Sequence, residues 1–204
     1  DWLVIAFVKH IMYILDSDGK HKFNYQPPSL SISSNNQFYT LVPYKHVNNN
    51  YDIILAYINY NCKAYLQYYT INVEGEVIAL NGDFVFDEDD PDRAPIMYNY
   101  GLSCQIMEHS IYGETLTCFY QNNINEKEIA AKNFKIQDGD FVILSELEQS
   151  SYKDSVFCIQ SLASTDKKKS LVCYVQNDNS ATRKGYCAVY DIEENKFNNY
   201  SKYL

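Results

Sequence analysis

The clearest pattern along the chain is a short apolar segment that recurs four times. Each copy has five residues, with a small residue (Ala or Cys) directly before an aromatic one (Phe or Tyr). The copies start at Val4, Ile54, Leu116 and Leu171. These segments are too apolar for strands that expose one face to solvent. We therefore expect each to be a central β-strand that is buried on both faces.

A second motif follows each apolar segment and ends in a turn. It consists of an aromatic residue, any residue, and then Ile or Leu, as in Phe134-Lys135-Ile136. The turns behind it are Asp18-Gly19, Glu74-Gly75, Asp138-Gly139 and Glu194-Asn195. Asp-Gly favours a type I′ hairpin turn because both central residues of that turn need positive φ. We therefore predict a strand on each side of every one of these turns.

A third motif precedes the apolar segment in three of the four repeats, at residues 40–42, 102–104 and 156–158. We pair its last residue with the small residue of the following segment. The resulting pairs are Val42 with Ala56, Cys104 with Cys118, and Cys158 with Cys173. Residues that favour turns lie at or beside the midpoint of each pair, so the sequence predicts three hairpins of similar register.

The repeating unit is thus four antiparallel strands with a period of about 50 to 60 residues, and it resembles a β-propeller blade in architecture only. We predict an all-β fold, either a β-propeller or part of one, with a β-sandwich as the alternative. The predicted domains are a partial blade over 1–26 and blades over 27–95, 96–150 and 151–204. Because the first blade lacks a strand and the chain does not begin with Met, we expect it to belong to a longer chain or assembly.

Two cysteine pairs occupy opposed positions of the first and second strands. These pairs are Cys104 with Cys118 and Cys158 with Cys173. Opposed residues of a non-hydrogen-bonded antiparallel pair have Cα atoms about 4.5 Å apart, within reach of a disulfide. Two disulfides imply an oxidising compartment, so we predict an extracellular or cell-surface location. The alternative is a set of buried, reduced thiols in an intracellular scaffold.

The two remaining cysteines, Cys62 and Cys187, have no partner in this scheme. Cys187 could instead bond Cys173, which would leave Cys158 free, or both could pair with cysteines elsewhere. The chain has no Cys-x-x-Cys spacing, so a structural zinc site is not expected.

The net charge of −9 disfavours binding to nucleic acid or to anionic lipid, since both carry negative charge. The longest apolar run covers residues 2–8, far short of the roughly 20 residues that a membrane-spanning helix needs. We therefore expect no membrane insertion. The only basic run, Lys167-Lys168-Lys169, falls in a predicted turn and is expected to be solvated.

Few residues form a pattern that could support catalysis, metal binding or modification. The four histidines lack metal-ligand spacing, and those at 10, 46 and 109 fall at or near predicted turns. An acidic run offers a weak Ca²⁺ candidate, but its spacing is not that of an EF-hand, and a solvated loop is the simpler interpretation. The candidate ligands are Asp87, Asp89, Asp90 and Asp92. Asn199 opens a glycosylation sequon. No cofactor is expected.

We therefore expect a non-catalytic extracellular scaffold or binding module. Its partner would be a protein or a glycan, held by loops that are rich in Asn, Tyr and acidic residues. A carbohydrate-active enzyme on the same fold is the main alternative. Such an enzyme needs carboxylates on its innermost strands, and the predicted first strands offer little beyond Glu108.

Overall fold

The computed structural model describes residues 4–8, 11–15, 18, 20–25, 38–58, 64–85, 101–122, 128–144, 148–149, 155–177 and 183–202. Within these ranges every regular element is a β-strand, which confirms the predicted all-β class. The same ranges contain no helix that could span a bilayer.

In the part of the chain that the structure describes, sixteen strands form four antiparallel sheets. Within each sheet, strands that follow one another in sequence pair with each other, apart from one short strand. The first sheet has three strands: β1 (Val4–Val8), β2 (Ile11–Leu15) and β3 (His21–Tyr25). The second has β4 (Phe38–Val47), β5 (Asn50–Ile58), β6 (Ala64–Asn72) and β7 (Val77–Val85). The third has β8 (Leu102–His109), β9 (Gly113–Asn122), β10 (Glu128–Gln137) and β11 (Asp140–Ile143), with the short β12 (Glu148–Gln149) also on β10. The fourth has β13 (Ser155–Ala163), β14 (Lys169–Asn177), β15 (Arg183–Asp191) and β16 (Lys196–Lys202).

The turn residues explain two of the tight hairpins. Asp138 and Gly139 have φ values of 53° and 85° and connect β10 to β11 through a two-residue turn. Asn48 and Asn49, with φ values of 52° and 64°, do the same between β4 and β5. Positive φ at both central residues matches the right-handed twist of the flanking strands. The turn predicted at Asp138-Gly139 is therefore confirmed.

The predicted pairing in the second repeat is wrong by two residues. Val42 faces Ile54, and Ala56 faces Thr40. A β-bulge between Pro43 and Lys45 places one extra residue in β4 and shifts the ladder beyond it. Proline has no backbone N–H to donate to a ladder, so a bulge is a common place for it.

Burial of the second strand differs between repeats. Residues 53–58 of β5 and 115–120 of β9 are buried without interruption, as predicted for strands covered on both faces. In β14 only alternate residues are buried: Val172 and Tyr174 are enclosed, whereas Leu171 is 47% exposed. One face of the fourth sheet is therefore open, contrary to the prediction for this strand.

The chain divides into two compact units, Asp1–Phe86 and Asp87–Leu204. The first contains the sheets β1–β3 and β4–β7, and the second contains β8–β12 and β13–β16. The finer division into four domains that the sequence predicts stays a prediction.

In the second unit, β13 lies alongside β8 and runs parallel to it. The Ser103 and Ser161 hydroxyls, 58 residues apart in sequence, are hydrogen-bonded at 2.8 Å. Near the other end of β8, the Glu108 N–H donates to the Lys167 carbonyl at 2.9 Å. Behind this seam the two sheets share one core, which includes Met107, Phe119, Ile129, Ala131, Ile159, Val172, Tyr174, Ala188 and Tyr190.

A second contact between the third and fourth sheets is a buried network of polar side chains, which lies away from the seam. The Thr117 hydroxyl donates to Asn133 Oδ1 at 2.6 Å, and Asn133 Nδ2 donates to the Tyr190 hydroxyl at 2.6 Å. The Tyr190 hydroxyl donates in turn to Asn195 Oδ1 at 2.7 Å. Because buried polar groups are costly when unpaired, this network favours one alignment of the sheets.

Candidate interaction surface

Three turns meet at one end of the second unit, and we call them together the turn surface. They comprise residues 110–112 between β8 and β9, 164–168 between β13 and β14, and 192–195 between β15 and β16. The Ile192 N–H donates to the Lys168 carbonyl at 3.1 Å. The Ser110 N–H and hydroxyl both donate to the Glu193 carboxylate. The turn surface is therefore built from both sheets.

Glu193 is the residue that joins all three turns. Its Oε1 accepts from the Ser110 N–H at 2.8 Å, and its Oε2 accepts from the Ser110 hydroxyl at 2.6 Å. Lys168 Nζ lies 3.7 Å from Oε1. The Ser110 hydrogen bonds lower the pKa of the Glu193 carboxyl below its usual value, with smaller contributions from the nearby His109 and Lys168 side chains. Glu193 therefore remains ionised under mildly acidic conditions.

The turn between β13 and β14 is ordered by its own side chains. The Ser164 hydroxyl donates to Asp166 Oδ1 at 2.5 Å, and the same carboxylate accepts from the Lys168 N–H at 3.1 Å. The Ser164 bond is the larger cause of a lowered pKa at Asp166. Lys167 has a φ of 56°, a left-handed conformation that is uncommon for a residue with a side chain. The turn is thus a defined structure.

The predicted placement of the basic run in a turn is confirmed for Lys167 and Lys168 and is wrong for Lys169, which is the first residue of β14. Each lysine lies near a carboxylate: Lys167 near Glu114 at 3.7 Å, Lys168 near Glu193 at 3.7 Å, and Lys169 near Asp191 at 3.3 Å. Exposed pairs of this kind contribute little stability. Their effect is to balance the charge of the turn surface.

The most exposed large apolar side chain of the turn surface is Ile111, at 78%. Its neighbour Tyr112 is 44% exposed and packs against His109, with ring centroids 4.6 Å apart. His109 Nδ1 accepts from the Ile111 N–H at 3.0 Å, which positions the tip of the turn. An exposed aliphatic and aromatic pair on an ordered turn is suited to contact another macromolecule.

Among the described residues there are two disulfides, and one of them is the predicted Cys104–Cys118 bridge. Cys104 and Cys118 are directly opposed in β8 and β9, with Cα atoms 4.1 Å apart. The second bridge joins Cys173 to Cys187, which are opposed in β14 and β15, also at 4.1 Å. Two bridges indicate an oxidising environment.

The predicted Cys158–Cys173 bridge is wrong, and the alternative pairing is the one that forms. A β-bulge between Phe157 and Gln160 shifts the ladder, so that Gln160 faces Cys173. Cys158 is left as an exposed free thiol within that bulge. Sequence midpoints cannot locate such a bulge because its extra residue carries no local signal.

The remaining candidates lie elsewhere. Cys62, His10 and the acidic residues Asp87, Asp89, Asp90 and Asp92 fall outside the described residues. Asn199 lies in β16. His109 ends β8, and His46 lies one residue before the end of β4, both as predicted near turns. Among the residues that the structure describes, no group of three or more His, Cys, Asp or Glu could hold a metal ion.

No protein-family model matches this chain, and no curated protein matches it. Among solved structures, a chain from the complex of the fission yeast SREBP-SCAP binding domains is similar, at 13% identity and a TM-score of 0.46. The match covers 98% of this chain and 60% of that one.

Proposed function

We propose that this protein is a non-catalytic β-propeller, or part of one, that acts as a scaffold in an extracellular or cell-surface setting. The observation that carries the proposal is the parallel seam between β8 and β13, held by Ser103 and Ser161 at a separation of 58 residues. Successive blades of a propeller are related by rotation without reversal, so their first strands run parallel. The two disulfides support an oxidising location.

We further propose that the turn surface binds a protein partner. Ile111 and Tyr112 supply exposed apolar area, and the Ser110–Glu193 bonds hold that area in place without a partner. A surface that is ordered before binding loses less conformational entropy on association. The ion pairs around it provide the polar rim that is common at protein interfaces.

The test uses the fluorescently labelled full chain as a probe on intact cells. The probe is compared with an Ile111→Asp/Tyr112→Asp variant and with a control variant, Val142→Asp, at a similarly exposed residue in β11. We expect saturable binding that the double variant loses and the control keeps. Protease treatment of the cells should abolish the binding.

Three outcomes would contradict this proposal. Binding that survives protease but not glycosidase treatment would indicate a glycan partner. Equal binding by the double variant would exclude the turn surface. Hydrolysis of oligosaccharides by the purified chain would indicate an enzyme.

A further inference from the structure

Three cysteines lie on three consecutive strands of the fourth sheet. Cys187 on β15 is directly opposed to Cys173 on β14 and bonded to it. On the other side of β14, the ladder with β13 pairs Phe157 with Val175 and Gln160 with Cys173. Cys158 lies between those two pairs, two residues before Gln160, which directly faces the disulfide cysteine Cys173.

Cys158 has an unusual backbone conformation for a strand residue. Its φ is 51°, in the left-handed region that non-glycine residues seldom adopt. Ile159, the next residue, is fully buried in the core shared with the third sheet. The bulge therefore places Ile159 inward and leaves Cys158 exposed.

In the third sheet the disulfide joins the first and second strands, whereas in the fourth it joins the second and third. The first-strand cysteine of the third sheet, Cys104, is bonded to the second-strand cysteine, Cys118. In the fourth sheet, the cysteines of the first and second strands are Cys158 and Cys173. Cys173 therefore has a cysteine on the strand at each of its sides, and only one of the two can be bonded to it at a time.

We propose that Cys173 exchanges its disulfide partner between Cys187 and Cys158. The Cys158 thiol loses its proton to solvent, and the thiolate attacks Sγ of Cys173. The Cys158–Cys173 bond forms as the Cys173–Cys187 bond breaks, and Cys187 leaves as a thiolate that takes up a proton. One disulfide and one thiol are present before and after, so the step needs no external oxidant or reductant.

The order of the strands suits this reaction. Exchange proceeds through attack of a thiolate on a disulfide sulfur, and Cys173 is on the middle strand of the three. Adjacent strands are about 4.8 Å apart, so the entering and leaving residues lie on opposite sides of the attacked one. The exchange would move the free thiol from exposed Cys158 to Cys187, which is 6% exposed.

The exchange would also change the seam between the two sheets. A Cβ on Gly101, which precedes β8, would meet the backbone N of Ile159 at 2.2 Å and the carbonyl carbon of Cys158 at 3.1 Å. The backbone of the bulge therefore lies close against Gly101 at the start of β8. Drawing Cys158 toward Cys173 moves this bulge, so the disulfide state and the seam are coupled.

The test is a non-reducing peptide map of the full chain in a Cys62→Ser background, which leaves the three cysteines and the Cys104–Cys118 bridge. Samples are held at pH 5 or pH 8.5, since a free thiol ionises at about 8.5, and then alkylated. At pH 5 we expect the alkyl group on Cys158. At pH 8.5 we expect it on Cys158 and Cys187, with Cys104–Cys118 unchanged as the internal control.

A Cys187→Ser variant should contain the Cys158–Cys173 bridge and lose its reactive thiols. A Cys158→Ser variant should keep Cys173–Cys187 beside Cys104–Cys118 and show no alkylation at either pH. Alkylation restricted to Cys158 at both pH values in the parent chain would overturn the proposal, whether or not the variants fold. Chains linked to each other through Cys158 would also overturn it, because the exchange proposed is within one chain.

Discussion

Ser103 and Ser161 lie on the first strands of successive sheets, and their hydroxyls are hydrogen-bonded at 2.8 Å. The Ser161 N–H also donates to the Ser103 hydroxyl oxygen at 3.1 Å. The Ser103 hydroxyl thus bonds both the side chain and the backbone of the neighbouring strand. This contact fixes the parallel alignment of the seam.

Replacing Ser103 should therefore cost more stability than replacing Ser161. Ser103→Ala removes both hydrogen bonds, whereas Ser161→Ala leaves the backbone bond in place. We expect a loss in the free energy of unfolding of about 1 kcal/mol for each bond removed. Urea denaturation of both variants and the double variant measures this, with Gln160→Ala as an exposed neighbouring control. Equal costs for the two single variants would contradict the assignment.

The buried network should tolerate no apolar replacement of its central residue. Asn133 is 4% exposed and bonds residues of both sheets. Asn133→Leu leaves the Thr117 and Tyr190 hydroxyls with fewer partners, so we expect a loss of about 2 to 3 kcal/mol in unfolding free energy. Lys135→Leu, two residues along β10 at an exposed position, is the control. A loss under about 0.5 kcal/mol for Asn133→Leu, typical of surface changes, would show that the network does not form.

Gly101 should be sensitive to a single added methyl group. Its Cβ would be 2.2 Å from the backbone N of Ile159, and backbone atoms cannot move aside as a flexible side chain can. We expect Gly101→Ala to cost about 1 to 3 kcal/mol, as overpacking does. Gly185→Ala is the matched control, because nothing lies within 4 Å of its Cβ position. Similar stability of the two variants would contradict the close approach of the strands.

The docking of the turns should weaken at acidic pH. The Ser110 hydrogen bonds lower the pKa of Glu193 below the ordinary value of 4.5. A carboxyl with a lowered folded-state pKa stabilises the fold above its unfolded pKa, and this contribution is lost as the pH falls through the folded pKa. The Tm difference between wild type and Glu193→Gln should thus shrink as the pH falls below 4.5. A constant difference down to pH 3 would count against this role for Glu193.

Local patterns in the sequence predicted the strands and several turns because their causes are local. The Asp138-Gly139 turn follows from positive φ at adjacent residues, and the Cys104–Cys118 bridge follows from a hairpin without a bulge. The bulge at Cys158 escaped prediction because it depends on Ile159 entering a core made by another sheet. The Asn133–Tyr190 bond joins residues 57 positions apart. The sequence around Asn133 or around Tyr190 does not predict that hydrogen bond.

The most direct test of the parallel seam is a nuclear Overhauser measurement on the isotopically labelled full chain. The hydrogen bond from the Ser161 N–H to the Ser103 hydroxyl oxygen predicts a cross-peak between the Ser161 amide proton and the Ser103 β-protons. The cross-strand contacts of Cys104 with Cys118 provide the internal reference. A reference signal without the Ser161–Ser103 cross-peak would contradict the parallel stacking on which the propeller proposal depends.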